Sequence, residues 1–247
     1  MVIREVQSKS ILSASKIYNY VINPYTGCQF ACSYCYACYM KRFTGHSEPW
    51  GQFVDVKTNA VSLLEKEVLK KKRDVVWISG VCDPYQPLER KYNLTGRCVE
   101  ILLAHDWPVR IQTKSDLVLR DIDIFKNGND CDVGFSVATA DDSIRALFEP
   151  ATPSIEKRIN ALRELHAAGI RTYAMVAPVL PGAENLVPLL KGAVDYLYVD
   201  RMNYGNATRV YHEHRLEQFR TDAYFQKVKT IIQQQAAESG IPCSVFY

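Results

Sequence analysis

The densest chemistry in this chain lies in one short segment, Gly27-Cys28-Gln29-Phe30-Ala31-Cys32-Ser33-Tyr34-Cys35-Tyr36-Ala37-Cys38. Four of the eight cysteines fall here, and the first three keep the spacing C-x3-C-x2-C. Thiolates are the usual ligands of iron–sulfur clusters and common ligands of zinc. A loop with this spacing wraps three corners of a cubane cluster and leaves the fourth iron open to a ligand other than protein. An open metal position marks catalytic rather than structural sites. Other readings stand beside this one. A structural zinc needs four ligands, usually as two pairs well separated in sequence, whereas all four thiols here sit within eleven residues. A ferredoxin-type cluster would recruit Cys38, but the spacing it gives matches neither common ferredoxin run. Inert packing of three cysteines among Phe30, Tyr34 and Tyr36 is the remaining alternative. Cys98, Cys131 and Cys243 read as packing residues.

Such a loop must be held by a scaffold, and the rest of the chain alternates short β-rich runs with helical ones. Strands are expected at 18–23, 75–79, 109–113, 133–137, 172–177 and 194–199. Helices are expected at 60–71, 94–105, 116–125, 183–191 and about 216–239, and from the N-cap Ser154 to Gly169. The basic run Lys70 to Arg73 closes the first of these, where cations suit the negative dipole end. Six strands separated by helices imply an α/β fold with a parallel sheet, either open and doubly wound or curved into a partial barrel. In both, function gathers at the C-terminal strand ends, which carry Ser79, Asp83, Thr113, Lys114, Ser136, Thr139, Pro178 and Asp200. The same residue types also cap helices and make turns. A single domain over 1–247 is expected, with the cysteine loop at 27–38 and a C-terminal helical extension over about 209–247.

The cysteine motif, with Tyr34 before its last cysteine, resembles the signature of the radical S-adenosylmethionine (SAM) superfamily. Further stretches, NPYTGCQFACSYCYA, SGVCDPYQPLE, QTKSDLVLRD, FSVAT and LFEPATPSIEKRINALRELHAAGI, resemble its spore photoproduct lyase-like branch. The resemblance implies a partial (β/α)6 TIM-like barrel. It implies a 4Fe–4S cluster on Cys28, Cys32 and Cys35, whose open iron binds SAM. It also implies reductive cleavage of SAM to a 5′-deoxyadenosyl radical that takes hydrogen from a substrate. Position by position, it implies that Ser79-Gly80 faces the SAM amino group, that Lys114 and Ser136 meet its carboxylate, and that Arg158 pairs with SAM. Asp83 joins this cofactor-binding set, and Tyr34 packs on adenine or cluster. Tyr36 and Cys82 take the catalytic places, as a hydrogen-atom relay and a hydrogen donor.

Composition sets limits. A net charge of +3 on 247 residues is too mild to argue for nucleic acid or an anionic membrane. No apolar run approaches the length of a membrane span or a secretory signal core, so a cytosolic place is expected. The cysteines would stay reduced there. Only 27 residues precede Cys28, and the true lyases carry a longer segment there, so repair of DNA photoproducts is a secondary expectation. The substrate is expected to be a small molecule or a nucleotide, with a flavodoxin- or ferredoxin-like electron donor. Two further alternatives are an activating enzyme that installs a radical in a partner protein, and a non-catalytic electron carrier or sensor that needs Cys38. His212 and His214 carry only a weak metal reading.

Overall fold

The computed structural model describes residues 1–247. Its strands are Val2–Val6 (β1), Ser13–Ala14 (β2), Tyr20–Ile22 (β3), Tyr25–Thr26 (β4), Phe53–Lys57 (β5), Val76–Ile78 (β6), Val109–Thr113 (β7), Cys131–Ser136 (β8), Arg171–Val176 (β9), Tyr196–Val199 (β10) and Cys243–Val245 (β11). The main sheet runs in the order β11-β10-β9-β8-β7-β6-β3-β2. From β3 to β10 all neighbours are parallel, and these are the six expected strands. Helices fill the crossovers, and the six strands follow one another in chain order with no reversal, as in the partial (β/α)6 barrel of the resemblance and unlike an open doubly wound sheet.

Sequence explains most of this locally. On β7 the apolar Val109 and Ile111 are buried and alternate with half-buried Arg110 and Gln112, the period of a strand with two different faces. All six residues of β8, at the centre of the sheet, are buried. The helix Ala60–Glu67 buries Ala60, Val61 and Leu64. The helix Ile155–Ala167 starts where the Ser154 hydroxyl accepts the Lys157 N–H at 3.3 Å, an N-cap in its usual geometry. Lys71 and Arg73 lie beyond the helix that the basic run was expected to close. Lys71 pairs with Glu67, and Arg73 with Asp106.

Three parts of the fold differ from the expectation. The C-terminal segment is not helical throughout. The helices Thr208–Glu213 and Asp222–Glu238 are followed by β11, which lies parallel to β10. Three residues after a Pro carry no readable period, and only the open edge of β10 makes them a strand. A small second sheet, β1-β5-β4, was also not foreseen, and it joins the cysteine loop to the N-terminal strand. The helix Asp142–Phe148, capped by Asp141 at 2.8 Å from the Ser143 N–H, is the third.

At the N-terminal mouth of the barrel a cavity of about 300 Å³ is lined by Tyr18, Arg110, Asp132, Arg171, Tyr196 and Tyr198, among others. Above it, Tyr173 stacks on Tyr196 with centroids 5.1 Å apart and donates its hydroxyl to the Ile111 carbonyl at 3.0 Å. Gly134 makes room for this ring, since a Cβ there would stand 2.2 Å from it. Gly134→Ala should therefore overpack the barrel at a cost of about 1–3 kcal/mol. Thermal unfolding should show this as a fall in Tm of roughly 2–4 °C per kcal/mol. An unchanged Tm would mean that the tyrosine stack yields freely.

Candidate active site

The cysteine loop leaves β3 at its C-terminal end, runs through β4, and lies over the rim of the barrel. Two sets of contacts hold it. On the side of β6, the Gln29 N–H donates to the Gln86 side chain at 3.0 Å, and Gln86 donates back to the Gly27 carbonyl at 3.2 Å. The Leu88 N–H donates to the Gln29 side chain at 2.6 Å. On the side of β8, the Ser33 N–H donates to the Phe148 carbonyl at 2.8 Å, and the buried Tyr34 hydroxyl donates to Glu149. A third contact comes from far along the chain. Asn206 donates to the Cys35 carbonyl at 2.9 Å, and Tyr204 stacks on Tyr36 at 6.1 Å.

Cys28 is buried, and Cys32 and Cys35 are half-buried. The three thiols lie within electrostatic reach of one another in series. Burial pushes the Cys32 thiol up to about 12, although Lys114 works in the opposite direction. Burial likewise raises Cys28, aided by the nearby charge of Asp83. No three thiols, imidazoles or carboxylates of the chain close around one point in the way that holds a single metal ion. Ligands of a cubane sit on separate irons and need no such convergence. Thiols kept protonated by burial are released as thiolates only when a metal replaces the proton.

The rim around the loop is polar. Lys114 follows β7, and its ammonium lies 5.7 Å from the Tyr34 ring centroid. Burial pushes that ammonium down, but Cys32, Glu149 and Asp83 outweigh it and hold its pKa above the usual lysine value. Asp83 accepts the Thr113 hydroxyl at 2.6 Å and the Lys114 and Tyr85 N–H groups at 2.7 and 2.9 Å. Its oxygens thus tie the end of β6 to the end of β7. Ser79 has φ +65°, the left-handed region, and its hydroxyl lies 3.1 Å from the Cys82 sulfur. Cys82 also donates to the Tyr25 carbonyl at 3.5 Å, and burial pushes its thiol up to about 12. Tyr36 donates its hydroxyl to the Gly80 carbonyl. Cys82 acts electrostatically on both Cys28 and Tyr36.

Ser136 and Arg158 occupy different surroundings. The Ser136 hydroxyl accepts Gln112 at 2.9 Å. Arg158 is wholly buried rather than open at the rim. Its guanidinium pairs with Glu149 and donates to the Pro153 and Ser136 carbonyls at 3.1 and 2.9 Å and to the Thr152 hydroxyl at 2.5 Å. Thr139 donates its hydroxyl to the distant Pro181 carbonyl at 2.6 Å, and Asp200 accepts the Arg201 N–H at 2.8 Å in a local turn. His212 and His214 are exposed, on and just after a helix. Glu149, Gln86 and Asn206 went unrecognised in the sequence. Only Glu149 carried a local signal, as a carboxylate between Phe148 and Pro150.

The partial barrel thus carries the cysteine loop on its rim, with a lysine that has no ion pair beside it. The chain belongs to the radical SAM superfamily, whose family profile matches residues 22–185. A relative from Methanocaldococcus jannaschii, an uncharacterized protein, is 35% identical over 225 residues, which is 89% of this chain and 84% of that one. A radical SAM Nalpha-GlyT isomerase of Pseudomonas phage M6 is 25% identical over 161 residues, 64% of this chain and 33% of its own. Among solved structures, a spore photoproduct lyase variant with bound AdoMet and dinucleoside spore photoproduct aligns with a TM-score of 0.71 at 19% identity. That alignment covers 100% of this chain and 81% of that one. At such identity the likeness shows a shared fold. The superfamily implies a 4Fe–4S cluster and SAM. No helix of the chain is long and apolar enough to cross a membrane.

The buried pair generates a prediction. Burial raises the Glu149 carboxyl, but Arg158 and Lys114, with the hydrogen bonds from Arg158 and Tyr34, outweigh it and hold the carboxyl below the usual range. A depressed carboxylate stabilises the fold fully above the unfolded value near pH 4.3, and that stability is lost as pH falls through the folded value. Glu149→Gln should cost about 3–5 kcal/mol at pH 7 by stranding Arg158, and should flatten the acid limb. Urea unfolding from pH 7 down to pH 3 checks both.

Proposed function

We propose that this chain is a radical SAM enzyme in which Cys28, Cys32 and Cys35 hold one 4Fe–4S cluster and the surrounding rim holds SAM. The observation that carries this reading is Lys114. Its ammonium stands beside Cys32 and Tyr34 without an ion pair of its own, where a carboxylate from outside the protein would complete it. When bound, the cluster supplies the electron that cleaves SAM to methionine and a 5′-deoxyadenosyl radical.

The chain's own residues then have separable tasks. Lys114 binds the SAM carboxylate, and Ser136 with its Gln112 partner offers a hydroxyl near the same strand ends. Ser79 and Gly80, after β6, face the SAM amino group. Asp83 fixes the Lys114 backbone, and Tyr34 packs its ring under the ammonium. Arg158, bonded to Glu149, acts through it and Tyr34 as a positioning residue for the SAM site. Cys82 is a protonated, partly covered thiol beside Tyr36, and a thiol's weak S–H bond suits it to hydrogen-atom donation, with Tyr36 as the relay. The substrate is a small molecule or a nucleotide, and the electron comes from a flavodoxin- or ferredoxin-like donor. A compact photoproduct lyase is the second reading, favoured by the placing of Cys82 and the Tyr36 hydroxyl just after β6, where Cys82 meets the Ser79 hydroxyl and Tyr36 the Gly80 carbonyl. A carrier whose cluster is fully ligated by Cys38 is the third, and it requires Cys38 for assembly.

Anaerobically reconstituted protein given SAM and dithionite should form 5′-deoxyadenosine, and Cys32→Ala should form none. Product from both, or from neither even with substrate candidates present, would defeat the enzyme reading. Lys114→Met should weaken SAM binding by about ten- to a hundredfold, the worth of one charged hydrogen bond, with cluster absorbance unchanged. Cys38→Ser should keep full cluster content, and loss of the cluster there would favour the carrier.

A further inference from the structure

Residues 50–53 close over the cysteine loop. Gly51 lies against Ala31 so closely that a Cβ on it would stand 2.5 Å from the Ala31 Cβ. Trp50, next to it, sets its ring edge-on to Phe53, with centroids 5.8 Å apart at 84°. The indole nitrogen is buried and has no partner at full hydrogen-bond geometry. The Trp50 side chain is close enough to the Cys35 thiol to lower its pKa against the effect of burial. An indole N–H can only donate, and buried donors in native proteins are rarely left unpaired. A neutral thiol is a weak acceptor, whereas a thiolate takes a charge-assisted bond of about twice the strength.

We infer that Trp50 donates its indole N–H to the Cys35 sulfur when that sulfur is a thiolate ligand of the cluster, and thereby raises the cluster's reduction potential. The inference rests on the cluster reading above. One-electron reduction adds a negative charge that spreads onto the ligand sulfurs, the electron coming from the external donor. A positive N–H end aimed at one of those sulfurs favours the reduced state, and hydrogen bonds to sulfur are among the terms that set such potentials. Trp50 is thus a positioning and tuning residue that touches a ligand rather than a substrate.

Two measurements test this. The first uses the wild-type chain with tryptophan labelled by 15N at the indole nitrogen, reconstituted anaerobically and reduced with dithionite. Pulsed EPR should detect 15N coupled to the reduced cluster, together with a proton that exchanges in D2O. The other two tryptophans, Trp77 and Trp107, lie on β6 and just before β7, so Trp50→Phe in the same labelled background should abolish the signal. The second is an EPR redox titration, in which Trp50→Phe should make reduction about tenfold less favourable, a midpoint lower by about 59 mV for one electron. A loaded wild-type cluster without nitrogen coupling would overturn the inference and leave the cluster reading standing. Coupling with an unmoved midpoint would overturn the tuning role. A wild-type chain that binds no cluster would overturn both. Should Trp50→Phe fail to load, the wild-type coupling decides alone.

Discussion

One buried ion pair governs where the cysteine loop sits. Arg158 and Glu149 are both withdrawn from water, which costs several kcal/mol per ion unless each charge is fully bonded. Here they are. Arg158 spends its fork on Glu149, Thr152 and two backbone carbonyls, and Glu149 also accepts the Tyr34 hydroxyl. The chain of contacts therefore runs from the Ser136 carbonyl on β8, through Arg158 and Glu149, to Tyr34 between two cysteines. A hydrophobic replacement of equal volume would pack as well, but it would not set the height of the loop above the sheet.

The second brace, on the side of β6, is built differently. Gln29 and Gln86 exchange neutral hydrogen bonds with backbone at the start of the loop, and Asp83 ties the ends of β6 and β7. The first cysteine is thus flanked by amide contacts, Cys32 and Cys35 flank the Tyr34 of the ionic brace, and Asn206 adds a neutral bond to the Cys35 carbonyl. Between them stands Lys114, whose charge is raised in pKa by neighbours yet left without a partner. The protein invests its paired charges in position and leaves one unpaired charge at the rim.

What could be read from the sequence follows from how local each signal was. The cysteine spacing and the six parallel strands were legible because a motif and a run such as Val75-Val76-Trp77-Ile78-Ser79 carry their meaning within a few residues. Ser154 announced its helix for the same reason. Arg158 was recognised as important, but through a pairing with SAM and without its partner Glu149. Its position on the helix after β8 is local, whereas its burial depends on Glu149, nine residues back and across a turn. Asn206 and Tyr204 were invisible, since nothing near them in sequence shows that they return to Cys35 and Tyr36. β11 was invisible because a three-residue strand exists only through its neighbour.

An incomplete barrel also has two free margins, each a row of backbone donors and acceptors on which a foreign strand can assemble. In this chain both margins are kept minimal. One ends in β2, two exposed residues that run antiparallel to the rest, and the other in β11, three residues directly after Pro242. Reversal of direction at one side and brevity at both deny an intruder a long straight template. The fold can therefore leave its seam unclosed at high concentration without inviting edge-to-edge aggregation.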